Sequence, residues 1–115
     1  EVLPVESFEV PESFIAGRKY EITVGYKLPT TCHILAGFYY AKEDNIRVVG
    51  IQARVIEGDH CEPIETEEIS ELTFNFEVGN STSYIFKFYK GQDEEGNDVF
   101  EDVEIPVVPY EIPAN

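Results

Sequence analysis

Apolar and polar residues alternate one by one through most of this chain, and that period of two commits it to half-buried β-strands. In RKYEITVGYKL (18–28), Tyr20, Ile22, Val24, Tyr26 and Leu28 share one face, and Glu21, Thr23, Gly25 and Lys27 the other. ELTFNFEV (71–78) turns Leu72, Phe74, Phe76 and Val78 inward, and SYIFKFYK (83–90) does the same with Tyr84, Phe86 and Phe88. VFEDVEIPV (99–107) sets Val103, Ile105 and Val107 against Asp102 and Glu104. HILAGFYYA (33–41) and NIRVVGIQARVI (45–56) are apolar enough to make contacts on both faces. VESFEV (5–10) reads as a first edge strand that Pro11 ends.

Turn signals at 16–17, 28–31, 42–45, 79–81 and 91–98 separate these runs. The longer connection 57–68 has room for one helical turn around Glu65 to Ile69, and no amphipathic helix of three turns occurs. The tail VVPYEIPAN (107–115) reads as a strand end that leaves the domain extended. The chain has 115 residues, seven Tyr and eight Phe, which suits one all-β domain. About seven evenly spaced strands predict an antiparallel immunoglobulin-like β-sandwich, with a small closed barrel as the alternative. The chain contains no Trp, and its cysteines fall in connections, so the variable-domain signature is missing.

Two cysteines and two histidines form mirrored neighbours, Cys32–His33 and His60–Cys61. If the strands run up and down in order, the connections at 29–32, 57–68 and 91–97 share one pole. That brings Cys32 and Cys61 together, and a disulfide is the expected outcome. A zinc site built from both pairs is disfavoured, because adjacent residues of an extended chain point to opposite sides. A thiol–imidazole nucleophile would need an orienting third group and an oxyanion pocket, and the sequence nominates neither. The histidines then read as surface residues beside the bridge. A disulfide implies an oxidising compartment, secreted or within the cell envelope. The start at Glu1 and the lack of Met read as a processed or trimmed form from which an export signal has been removed.

The net charge is −15. Residues 57–115 hold sixteen acids against Lys87 and Lys90 alone, and seven of those acids lie in 57–71. Such a surface repels nucleic acid and anionic lipid. No apolar run reaches the roughly 20 residues of a membrane-spanning helix. Acids gathered at one pole raise two readings, a calcium site and a solubilising surface. Asp93, Glu95, Asn97 and Asp98 are the candidate calcium ligands. The position where an EF-hand loop needs Gly holds Asp98, however, so DEEGND reads as a hairpin turn with Gly96 or Asn97 at positive φ. A hydrolytic pair among these carboxylates is a further possibility, but nothing in the sequence sets any two apart.

Alternation also turns three aromatic residues outward. Tyr39 opposes Phe38 and Tyr40, Tyr89 opposes Phe86 and Phe88, and Phe100 opposes Val99 and Val103. Exposed rings on a sheet either stack on sugars, anchor a protein partner, or pack against a neighbouring side chain.

The segment TFNFEVGNSTSYIFKFYKGQDEEGNDVFEDVEIPV (73–107) resembles small exported or lipoprotein-type domains of Gram-negative bacteria. The likeness lies in the Y-x-F-K-F-x-K-G strand, the G-N hairpin and the closing VxIPV strand, and extends to YEITVGYKLPTTC (20–32). The resemblance implies a secreted or envelope β-sandwich and carries over no catalytic residues. The chain is therefore read as a non-enzymatic module for adhesion, scaffolding or ligand binding, its partner a protein or glycan. The alternative is a calcium- or carbohydrate-binding module that uses the acidic pole or the exposed rings.

Overall fold

The computed structural model describes residues 1–58 and 60–109. Asp59 and the end of the tail read as extended, 110–115, lie outside them. Nine strands form: β1 (Val2–Leu3), β2 (Ser7–Glu9), β3 (Phe14–Ile15), β4 (Lys19–Tyr26), β5 (His33–Glu43), β6 (Ile46–Val55), β7 (Ser70–Glu77), β8 (Ser83–Gln92) and β9 (Asp98–Val108). Each of the six alternating runs after residue 17 becomes one strand. The first run does not, and here the expectation of about seven strands is corrected. Pro4 and Pro11 cannot donate to a ladder and break the N-terminal stretch into three short pieces on three different partners.

The small sheet has the order β2-β4-β7, antiparallel throughout. The large sheet runs β5, β6, β8, β9, β3, with β1 also on β6. It is mixed. β6 pairs β8 in parallel (Ile46↔Ile85 to Val49↔Phe88), and β3 pairs β9 in parallel. The expected fully antiparallel arrangement therefore fails, for a topological reason. Parallel neighbours need a crossover, and β7 supplies it by crossing to the small sheet between β6 and β8. The immunoglobulin order sets the third of its seven strands beside the sixth; β5 and β8, which would take those places if VESFEV counted as the first strand, are separated by β6.

The two sheets face each other across an aromatic core. Phe8 stacks on Phe88 at 4.2 Å between ring centroids, and Phe76 meets Phe86 edge-on at 5.2 Å. Phe14, Ile22, Val24, Val49, Ile51, Phe86 and Phe88 are wholly excluded from solvent. Burying a side chain of this size contributes about 1.5–3 kcal/mol, which is how so short a chain sustains two layers. Among the described residues Arg47 is the one charged residue that is buried. Its guanidinium lies 5.1 Å from the Tyr84 ring centroid and donates to the carbonyls of Asp44 (2.7 Å) and Ile46 (3.0 Å).

Because β4 to β9 alternate in direction, the connections 27–32, 56–69 and 93–97 emerge at the same end, as the up-and-down reading requires. Thr30 bridges Pro63, and Thr31 N–H donates to the Glu62 carbonyl at 2.9 Å. Cys32 and Cys61 are joined, with a Cα–Cα separation of 5.3 Å. The helical turn expected around Glu65 to Ile69 does not form. The segment stays irregular and exposed, with Glu68 N–H capped by the Thr66 hydroxyl at 3.0 Å.

The bridge closes a loop with a sequence separation of 29 residues. Replacing both cysteines by Ser is therefore expected to cost about 3–4 kcal/mol on the chain-entropy estimate, read from urea unfolding of both proteins. A loss below about 1 kcal/mol would mean that the backbone pairs alone hold this loop.

Candidate functional site

The three outward aromatic residues come together. Tyr39 on β5, Tyr89 on β8 and Phe100 on β9 line one open cavity of about 730 Å³ on the outer face of the large sheet. Register is what gathers them. Tyr39 lies opposite Gly50 of β6, and Tyr89 opposite Phe100. The rings of Tyr89 and Phe100 are 5.8 Å apart and tilted. Tyr39 keeps 41% of its surface open to solvent. A cavity of this size suits one small ligand or one to two sugar rings.

Val48 of β6 lines the cavity, and Gly50 two residues on lets its neighbours approach closely. A Cβ there would lie 2.8 Å from Val2 Cγ1, 3.5 Å from Tyr89 Cβ and 3.7 Å from Tyr39 Cβ. A glycine inside a β-branched run signals such a close approach. The wall formed by Val2, Leu3 and Pro4 was not legible, because two-residue strands leave no periodic trace. Gln92 and Asp98 complete the rim, with Gln92 Nε2 donating to Asp98 Oδ1 at 3.3 Å. Lys87 stands beside the site, 5.4 Å from the Phe100 ring centroid and 3.6 Å from Asp102. Burial, and then the carboxylates of Asp98 and Glu1, hold the Tyr89 hydroxyl above the ordinary tyrosine pKa.

The candidate calcium ligands do not converge. Asp93 Oδ1 accepts the backbone N–H groups of Glu95 and Asn97, each at 2.9 Å, inside its own turn. Gly96 takes φ +83°, as the hairpin reading expects. Asp98 turns to Gln92 instead of joining Asp93. Among the described residues no three His, Cys, Asp or Glu side chains are placed to hold a metal ion.

The cysteine sulfurs are bonded to each other, so neither the split zinc set nor a thiol–imidazole pair is available. The histidines were expected at the surface, and His33 departs from that. Its side chain is 9% exposed, with Nδ1 at 2.7 Å from Thr30 Oγ1 and Nε2 at 2.6 Å from Glu1 Oε2. It opens β5, and its ring is covered by its two partners, the Thr30 hydroxyl and the Glu1 carboxylate. His60 is exposed. No family model matches the chain, and no curated protein or solved structure matches it either.

The Asp93 turn has a pH signature. Hydrogen bonds from the backbone, that of Asn97 foremost, hold its carboxyl below the ordinary aspartate range. In the unfolded chain it titrates near about 3.9. Its contribution is therefore complete above that pH and is lost as pH falls through the lower folded value. Asp93→Asn keeps an oxygen acceptor without the charge. The gap in Tm between wild type and variant is expected to be constant from about pH 7 to 5 and to narrow from about pH 4 to 2. A gap unchanged to pH 2 would show that the carboxylate has no preferential role in the folded turn.

Proposed function

We propose that this protein is a non-enzymatic, exported β-sandwich module that binds carbohydrate on the outer face of its large sheet. The observation that carries this reading is the convergence of Tyr39, Tyr89 and Phe100, from three different strands, on one open cavity with Gln92 and Asp98 at its rim. Sugar rings present apolar C–H faces that stack on aromatic rings and hydroxyl edges that need amide and carboxylate partners. An open site on a rigid sheet holds such a ligand with little reordering of the protein. Turnover is disfavoured because the thiols are tied in a bridge and both nitrogens of His33 are already partnered. Export to the envelope or beyond is supported by a disulfide in a small β domain, the usual chemistry of oxidising compartments. Among the described residues no helix is long and apolar enough to cross a membrane.

A glycan array followed by calorimetry on its best binder tests the reading. Tyr39→Ala and Phe100→Ala are each expected to weaken binding about tenfold, since each removes a stacking partner. Circular dichroism should stay unchanged, because both rings lie outside the core. Glycan binding indifferent to both substitutions would place the ligand elsewhere and defeat the proposal.

A further inference from the structure

The rim of the aromatic cavity is chemically one-sided. Among the described residues that line it, the charged side chains are the carboxylates of Glu1 and Asp98; that of Glu1 is held by His33 Nε2, and the Glu1 ammonium donates to the Ala53 carbonyl. Gln92 donates to Oδ1 of Asp98, and among the described residues no other hydrogen-bond partner reaches this carboxylate. Lys87, outside the lining, pairs with Asp102 at 3.6 Å. A neutral sugar needs donors as well as acceptors, yet apart from the Gln92 amide and the tyrosine hydroxyls this rim offers acceptors. Phe100 already shows what its ring accepts, because the Lys87 ammonium sits 5.4 Å from its centroid. A cation over an aromatic face is attracted by the ring quadrupole, and more strongly beside a carboxylate. Burial first, and then the carboxylates of Asp98 and Glu1, raise the Tyr89 hydroxyl above the ordinary tyrosine pKa.

We infer that the ligand of this site carries a protonated amine, which Asp98 receives while Tyr39, Tyr89 and Phe100 stack on the ring beside it. The occupant is an amino sugar. This rests on the carbohydrate reading and sharpens it to a charge class.

Calorimetry at about pH 5.5 with two tetramers of β-1,4-linked glucosamine, one with free amines and one fully N-acetylated, tests it, with choline as a cation that has no sugar ring. The free-amine tetramer is expected to bind about tenfold more tightly than the acetylated one. That ratio should fall toward one in Asp98→Asn and persist in Glu68→Gln, which removes an equal charge from the exposed 57–69 connection. Equal affinity for the two tetramers, with both weakened by Phe100→Ala, overturns the amine assignment and leaves carbohydrate binding standing. Choline binding that depends on Phe100, with neither tetramer bound, keeps the cation site and removes the sugar. A preference that survives both Tyr39→Ala and Phe100→Ala is attraction to an acidic surface only and overturns the site, as does failure of all three probes to bind.

Discussion

β5 pairs β6 along its full length on one edge, so β8 and β1 have to divide the other. The parallel ladder to β8 lasts only from Ile46 to Val49. Beyond it Lys90 forms a bulge, β8 bends away, and β1 takes up the freed groups of β6 at Ile51 and Gln52. Backbone donors and acceptors stripped of water must find partners, and here they do. Val5 N–H donates to the Tyr89 carbonyl at 2.7 Å, and Lys90 Nζ donates to the Val5 carbonyl at 2.8 Å. The parting of β6 and β8 thus creates the outer cavity and recruits the N-terminal segment as one of its walls.

How much of this could be read from the sequence follows from the range of each interaction. Period two reports which face a residue takes within its own strand, so Tyr39, Tyr89 and Phe100 were legible as outward, and Val103, Ile105 and Phe86 as inward. It says nothing about which strand lies beside which. The parallel β6–β8 pairing joins residues some forty positions apart (Ile46 with Ile85), and only the route of β7 through the other sheet decides it. The gathering of the three rings was hidden for the same reason, since it depends on the register of three strand pairs. Cys32 and Cys61 were easier, because up-and-down order alone sends their connections to one end. The fragmentation at Pro4 and Pro11 left signals, but short pieces with different partners resemble one interrupted strand.

Acidity misleads as a guide to the site. Glu57, Glu62, Glu65, Glu67 and Glu68 lie in an exposed connection, while the carboxylate of Asp93 is spent on its own backbone turn. What distinguishes Asp98 among the sixteen acids of 57–115 is that it lines the same cavity as Tyr39, Tyr89 and Phe100. Its proximity to Asp93, which made it a calcium candidate, turns out to be an accident of the hairpin. Its cross-strand partner Gln92 places it on the rim.

The pole with the disulfide and the face with the cavity are mechanically one structure. Cys32 is bonded to Cys61 and is followed by His33, which begins β5. His33 Nε2 holds the Glu1 carboxylate, and the backbone of Glu1 exchanges hydrogen bonds with Ala53 at 2.9 and 3.0 Å. Two residues pair directly behind it in β1, too few to hold a strand on a sheet by themselves. The wall formed by Val2 and Pro4 therefore draws on anchors at both ends, the His33 contact at one and Val5 with Tyr89 and Lys90 at the other. A bridge that keeps His33 in place keeps the first of these anchors, so a covalent link in a solvated loop helps to shape a binding face it does not touch.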